Sequence, residues 1–188
     1  DTDIISHITP GFLEMRLTDI NRSALVIADT NIMMESLAYL IENCTAPLLI
    51  DTVSTAKASR VVKALQLSPA KHLHALKLNL IEARTVTGCE TAAKAAEHLS
   101  TMGIDEVYIT LGRDGVYCSD GTRHEHLHAI PTRVINTTGA GDAFIAGIAH
   151  AAMQGIPFPT GAHIGLKAAH ATLLSLQTVN PDINQYLQ

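Results

Sequence analysis

A run of small residues that ends in a carboxylate is the segment of this chain best suited to chemistry. Within Asn136–Asp142, the residues Gly139, Ala140 and Gly141 directly precede Asp142. Because their side chains are small or absent, several backbone N–H groups can approach a ligand closely. We predict that a short strand ends in this turn and that a helix follows it, so the helix N-terminus would attract an anion. A carboxylate beside a bound anion could accept a proton from an attacking hydroxyl while the N–H groups stabilise a transferring phosphoryl group.

The rest of the chain supplies elements that could position this turn. Apolar runs alternate with helical patterns, which predicts an α/β fold with a doubly wound parallel sheet. The first, second and fourth runs are almost continuously apolar, as expected for strands covered on both faces. A hairpin around Ser119–Gly121 and two more helices are predicted to follow. The predicted strands are 25–28, 47–50, 75–78, 107–111, 115–118 and 127–130, and the predicted helices are 31–43, 55–66, 91–102, 140–154 and 160–176.

Polar residues follow several of the predicted strands. In an open parallel sheet, ligands bind outside the carboxyl ends of the strands, so these residues are candidates for a binding edge. Any one of them could instead cap a helix or form a turn, and Asn79 with Glu82 has the spacing of a capping box. Their shared place at the strand ends favours a site over separate caps. The candidates are Asp29, Asn31, Asp51, Ser54, Asn79, Glu82 and 110–115.

The segment His124–His128 matches the H-E-x-x-H pattern of zinc proteases, which requires a helix. An Asp-Gly turn precedes it and Pro131 follows, so we predict a strand instead. On a strand, residues four positions apart lie about 13 Å apart. Two zinc bonds of about 2 Å cannot span that distance. Solvated histidines on a hairpin are therefore predicted, and a zinc-binding protein is the less favoured alternative.

The composition limits the class of protein. The chain has 188 residues, of which 47% are hydrophobic and 16% are charged, which predicts one globular domain. A net charge of −5 argues against nucleic acid or an anionic membrane as a partner. Cys44, Cys89 and Cys118 form no C-x-x-C pair, which favours reduced thiols in a cytoplasmic protein.

Three motifs together resemble those of the PfkB (ribokinase-like) carbohydrate kinases. Asn136–Asp142 is similar to the family's D-T-x-G-A-G-D signature, Lys77–Glu82 to its K-P-N-x-x-E element, and Thr110–Gly115 to its T-L-G-x-x-G nucleotide loop. Their order and spacing match the family. The resemblance implies a ribokinase-type fold, ATP and Mg²⁺ as cofactors, and phosphoryl transfer to the 5′-hydroxyl of a nucleoside or sugar.

The resemblance also implies a role for each matching residue. Asp142 would be the catalytic base, and the backbone of 139–141 would form the anion hole for the γ-phosphate. Asn79 would contact the nucleotide phosphates, and Glu82 would orient Mg²⁺ through water. The implied catalytic residues are Gly139, Ala140, Gly141 and Asp142, the nucleotide-binding residues are Asn79, Thr110, Leu111, Gly112, Arg113, Asp114, Gly115 and Gly141, and the metal residue is Glu82.

The chain departs from the family pattern at two of these positions. Asn136 replaces an aspartate that is associated in relatives with a monovalent cation, which leaves dependence on such a cation open. Leu78 replaces a proline, which should alter only the local turn. Within the family, several stretches resemble the pseudouridine kinases, which makes pseudouridine the favoured acceptor. A ribokinase- or fructokinase-type sugar kinase and a non-catalytic ATP-binding module are the alternatives. The stretches are 26–32, 50–54, 113–117 and 179–182.

Two parts of the family pattern have no counterpart in this chain, the N-terminal G-G-x-x-x-N region and the β-lid. Residues 1–188 would therefore be the C-terminal, ATP-binding portion of a kinase domain, without its N-terminal strands. Because the lid and most of the sugar-binding surface would be missing, we expect little or no kinase activity from this polypeptide alone. An exposed sheet edge would also favour a homo-oligomer.

Overall fold

Two units make up the described part of the chain. The computed structural model describes residues 3–68 and 73–187. The first unit extends to Ile109 and includes Ser119–Arg123, and the second comprises Thr110–Cys118 and the chain from His124 onward. The motif around Asn79 therefore belongs to the first unit, and the turn before Asp142 belongs to the second.

The first unit alternates helices with strands, which confirms the predicted α/β class. Its elements are α1 (Asp3–Ser6), α2 (Pro10–Asn21), β1 (Val26–Asp29), α3 (Met34–Asn43), β2 (Leu48–Asp51), α4 (Thr55–Leu67), β3 (Leu73–Asn79), α5 (Leu80–Thr87), α6 (Ala92–Ser100) and β4 (Ile104–Thr110). The strands lie in the order β1-β2-β3-β4, and both β1 with β2 and β2 with β3 pair in parallel. The carboxyl ends of β1, β2 and β3 therefore meet at one edge of the sheet.

Apolar side chains of these strands form the core of the first unit. All four residues of β2 are buried, and Leu76, Leu78, Val107 and Ile109 are fully buried. The prediction of strands covered on both faces is thus confirmed for β2 and for the apolar part of β4. It is wrong for β1, where Ile27 remains 49% exposed. β1 is also the terminal strand in the order.

Local hydrogen bonds explain why some helices depart from the predictions. α3 begins at Met34 rather than at residue 31, because Asn31 donates its backbone N–H and its side-chain amide to the Asp29 carboxylate (2.8 and 2.9 Å). α2 was not predicted, although the Thr9 hydroxyl caps it by accepting the Phe12 N–H at 3.2 Å. A threonine cap followed by proline is a known signal for a helix start.

The second unit contains a hairpin and a helix pair. Its elements are β5 (Val116–Ser119), β6 (His124–Leu127), α7 (Ala140–Met153) and α8 (Thr160–Leu173), with 3₁₀ turns at Gly112–Asp114 and Ile183–Gln185. A Cβ on Gly147 of α7 would lie 2.8 Å from the Cα of Gly165 of α8. A Cβ on Gly165 would in turn lie 2.9 Å from the ring of Phe144. Glycine at both positions lets the two helix backbones touch.

The segment before α7 is not the predicted strand. Residues 131–137 adopt no regular secondary structure. The Ile135 N–H donates to the Leu173 carbonyl at the end of α8 (2.8 Å), where a strand residue would bond to a neighbouring strand. Leu173, which accepts this hydrogen bond, is the last residue of α8, so the helix ends three residues before the predicted end at 176.

The hairpin confirms the strand predicted for the H-E-x-x-H segment. β6 covers His124–Leu127, so a second hairpin strand over 127–130 is wrong. The His124 ring stacks on Tyr117 with centroids 6.2 Å apart, and the rings of His126 and His128 lie 4.6 Å apart. Within residues 3–68 and 73–187, no three His, Cys, Asp or Glu residues are grouped so that they could hold a metal ion.

Cys44, Cys89 and Cys118 form no disulfide with one another. Cys118 is buried, and burial raises the pKa of the Cys44 thiol.

None of the helices in the described ranges has the length and apolar character needed to cross a membrane.

Candidate active site

The carboxyl ends of the parallel strands bring charged side chains together in the first unit. The parallel register places Asp51 beside Lys77. The Lys77 ammonium donates to both carboxylate oxygens of Asp51, at 2.8 and 3.2 Å. Both side chains are almost buried, with 12% of Lys77 and 11% of Asp51 exposed. Removing either partner would leave the other as an uncompensated buried charge between β2 and β3.

Asn79 and Glu82 form the capping box that begins α5. Asn79 Oδ1 accepts the Glu82 N–H (2.9 Å), and Glu82 Oε2 accepts the Asn79 N–H (2.8 Å). The Thr52 hydroxyl also donates to Glu82 Oε2, at 2.7 Å. The capping-box alternative is therefore correct, and the same hydrogen bonds hold a buried carboxylate at the strand edge.

The loop after β1 is held by two cations of α4. Asn31 bonds to Asp29 as described, and its Oδ1 accepts a hydrogen bond from the Lys57 ammonium at 2.7 Å. Arg60 Nη1 donates to the three consecutive carbonyls of 30–32, at 2.9–3.1 Å. The predicted polar residues after β1, β2 and β3 thus do share one edge of the first unit.

The segment 110–115 forms a tight turn in the second unit. Its centre, Gly112–Asp114, is one turn of 3₁₀ helix, and Nε2 of the His126 ring lies 2.8 Å from the carbonyl oxygen that ends this helix. Gly115 has a φ of +101°, and a Cβ there would lie 1.9 Å from the carbonyl oxygen of Leu127. This position therefore requires glycine, which keeps the turn pressed against the chain after β6.

The turn before α7 presents backbone N–H groups beside a carboxylate. The Ala143 N–H donates to the Gly139 carbonyl (2.8 Å), which is the first hydrogen bond of α7 between residues four apart. The Ala140 N–H donates to the Thr137 carbonyl at 3.3 Å. The N–H groups of 141 and 142 precede the first four-apart bond and have no acceptor four residues back within the helix. Asp142 lies in the first turn of α7 and is exposed to solvent. The arrangement can bind an anion and place a carboxylate next to it.

The C-terminal segment supports this turn from behind. Gly139 has a φ of +84°, and a Cβ there would lie 2.5 Å from the Thr178 carbonyl oxygen. Asn136 Oδ1 accepts the Thr138 N–H at 3.0 Å, and Asn136 Nδ2 donates to the Leu176 carbonyl at 3.5 Å. The neutral Asn136 amide therefore bonds through its oxygen to the turn and through its nitrogen to the C-terminal segment.

The donor set at Glu82 fits a magnesium ion. Mg²⁺ prefers carboxylate oxygens and retains several of its waters. Among the described residues, both side-chain hydrogen bonds of Glu82 are made by Oε2, which leaves Oε1 for a magnesium-bound water. Asn79 uses Oδ1 in the capping box, so its Nδ2 can donate to a phosphate oxygen.

Sequence reasoning found the strand-end residues but missed most of their partners. Ser54 precedes α4 as predicted, yet its side chain makes no capping hydrogen bond. No role is predicted from the sequence for Thr52, Lys57 or Arg60. Lys57 and Arg60 lie three positions apart on α4, a spacing that places them on one helix face and could have indicated a shared target.

Several kinases resemble this chain in sequence and structure. The family profile described as pfkB family carbohydrate kinase matches residues 21–184. Pseudouridine kinase from Escherichia coli (strain K12) is 34% identical over 98% of this chain and 59% of its own length. A carbohydrate kinase structure from Agrobacterium tumefaciens has a TM-score of 0.81 and 27% identity, covering 100% of this chain and 62% of its own. A ribokinase structure from Thermotoga maritima has a TM-score of 0.81 and 19% identity, covering 97% of this chain and 62% of its own. The predicted ribokinase-type fold is confirmed, and the chain spans less than two thirds of the length of each of these relatives.

Proposed function

The chain belongs to the pfkB family of carbohydrate kinases, and from that premise we propose that it serves to transfer the γ-phosphoryl group of ATP to a hydroxyl of a nucleoside or sugar. Similarity to a pseudouridine kinase supports the 5′-hydroxyl of pseudouridine as the acceptor. Residues 1–188 are proposed to be the ATP-binding, C-terminal part of a larger kinase domain, because the chain spans only 59% of that relative.

The turn before α7 is the observation that carries this proposal. Its N–H groups and the exposed Asp142 carboxylate are the two parts that a phosphoryl transfer requires. Asp142 is proposed to accept the proton of the acceptor hydroxyl. The hydroxyl oxygen then bonds to the γ-phosphorus as the bond from that phosphorus to the bridging oxygen of ADP breaks. The backbone of Gly139, Ala140 and Gly141 stabilises the charge on the phosphoryl oxygens.

The nucleotide is proposed to lie on the turn at 110–115, with Asn79 donating to its phosphates. Glu82 is proposed to orient Mg²⁺ through a water molecule. When bound, Mg²⁺ supplies positive charge to the phosphate oxygens. Since the net charge of the chain is −5, local N–H groups and Mg²⁺ provide the attraction for ATP rather than a basic surface.

The remaining proposals concern the partner, the location and the activity of the chain alone. The absence of a disulfide among the three cysteines supports a reducing, cytoplasmic location. The half-exposed Ile27 on the terminal strand β1 supports assembly into a homo-oligomer. Little or no turnover is proposed for the 188-residue chain alone, because the acceptor-binding residues are proposed to lie outside it.

Replacing Asp142 by asparagine tests the proposed base. Asp142→Asn removes the proton acceptor but keeps the size of the side chain, so turnover should fall by about 10²- to 10⁴-fold. Its affinity for ATP should stay unchanged, because the asparagine leaves the N–H groups in place. Phosphorylation of pseudouridine, ribose and fructose is measured in a full-length kinase that carries these residues, and ATP affinity is measured by calorimetry.

Asp19→Asn is the matched control, since Asp19 is an exposed carboxylate on α2 and the change of charge is the same. It should leave turnover unchanged. Full activity of Asp142→Asn would show that Asp142 is not the base. Turnover of ribose or fructose without turnover of pseudouridine would replace the proposed acceptor by a free sugar.

A further inference from the structure

A buried hydrogen bond connects the end of β2 to the capping box of α5. The Thr52 hydroxyl lies 2.7 Å from Glu82 Oε2, although the two residues are 30 positions apart in the chain. Thr52 is 1% exposed and Glu82 is 3% exposed. We infer that Thr52 is a positioning residue whose hydroxyl orients the Glu82 carboxylate for the magnesium complex of ATP. This inference rests on the proposed kinase function.

The direction of the bond follows from the chemistry of the two groups. An ionised carboxylate can only accept, so Thr52 supplies its single hydroxyl proton. The Lys77 carbonyl oxygen also lies near the hydroxyl, at 3.2 Å, but the bond to the carboxylate is shorter and charge-assisted. The backbone N–H of Thr52 donates to the same Lys77 carbonyl at 3.1 Å. Thr52 is therefore anchored on β3 while its hydroxyl is directed at Glu82.

Two donors on one oxygen fix the plane of the Glu82 carboxylate. Oε2 accepts the Thr52 hydroxyl and, at 2.8 Å, the Asn79 N–H. Because two donors hold Oε2, rotation of the carboxylate is restricted, and Oε1 points in one fixed direction. Mg²⁺ demands near-ideal octahedral geometry, so that direction matters for a magnesium-bound water. Losing the hydroxyl should therefore weaken binding of ATP with Mg²⁺ and leave binding of metal-free ATP unchanged.

The variants separate positioning from a merely structural role. Thr52→Val keeps the shape of the side chain and removes the hydroxyl, whereas Thr52→Ser keeps the hydroxyl. Thr172→Val is the matched control, because Thr172 is also 1% exposed and its hydroxyl donates to the Ala168 carbonyl at 3.2 Å. A structural role alone would lower stability without changing the effect of Mg²⁺ on ATP affinity.

Calorimetry on the 188-residue chain measures the dissociation constants of ATP in excess Mg²⁺ and of ATP in EDTA. Because Glu82 is proposed to reach Mg²⁺ through a water molecule, Thr52→Val should weaken binding of ATP with Mg²⁺ by about 10-fold, the lower end of the loss seen when an outer partner of a metal site is removed. The same variant should bind ATP in EDTA as the wild type does. Thr52→Ser and Thr172→Val should match the wild type in both conditions.

The outcomes distinguish this inference from the function on which it rests. An unchanged ratio of the two dissociation constants in Thr52→Val overturns the inference and leaves the proposed function intact. A wild-type chain that binds ATP in neither condition overturns both. A wild-type chain that binds ATP equally well with and without Mg²⁺ overturns the inference alone. If circular dichroism shows that Thr52→Val is unfolded, Thr52→Ala is measured instead, and the ratio of its two dissociation constants for ATP decides the inference.

Discussion

Replacing Gly139 by alanine should disturb the turn before α7 through two separable effects. The backbone φ of +84° lies in the left-handed region, where a residue with a Cβ costs about 1–2 kcal/mol. The added Cβ would also lie 2.5 Å from the Thr178 carbonyl oxygen, so the chain must shift. Overpacking of that kind costs about 1–3 kcal/mol. Gly139→Ala should therefore lower the free energy of unfolding by about 2–5 kcal/mol and weaken ATP binding, because the proposed γ-phosphate donors move.

Gly155 provides a matched control at the other end of the same helix. It has a φ of +67°, and a Cβ there would meet no atom within 4 Å. Gly155→Ala should cost about 1–2 kcal/mol and leave ATP affinity unchanged. Urea denaturation measures both free energies of unfolding, and calorimetry measures both affinities for ATP. Equal losses of stability in the two variants, with ATP affinity retained in both, would refute the argument from the contact with Thr178.

Two further predictions concern charged groups. Lys77→Met removes the ammonium from buried Asp51 and should lower the free energy of unfolding, measured by urea denaturation, by about 3–5 kcal/mol. Lys57→Met is the control and should lower it less, because Lys57 bonds to a neutral amide. Equal losses in the two variants would contradict the ion-pair argument. Although burial raises the pKa of Asp120, hydrogen bonds from Arg123 hold that pKa well below its usual range. Its contribution to stability is therefore present at neutral pH and is lost as the pH falls below about 4. Asp120→Asn should flatten the dependence of the unfolding free energy on pH between about pH 2 and 5, and an unchanged slope would count against this explanation.

Features carried by neighbouring residues could be predicted well from the sequence. The capping box of Asn79 and Glu82 depends on a spacing of three residues, so helix geometry alone specifies it. The small-residue turn before α7 is likewise local. The strand predicted just before that turn failed because strand formation needs a partner, and Ile135 instead bonds to the end of α8. The start of α3 failed for a similar reason, since the Asp29 carboxylate engages Asn31.

The sequence by itself determined the α/β class, the kinase family and the residue types at the strand ends, because these depend on periodicity and on short motifs. Only the tertiary structure decided which distant residues meet. Thr52 reaches Glu82 across 30 positions, and Lys77 reaches Asp51 across 26. The contact of Lys77 with Asp51 depends on the parallel register of β2 and β3, because a shift of one residue would turn the Lys77 side chain to the opposite face. A pattern along one strand does not specify that register, because register arises from how two strands pack against the same core.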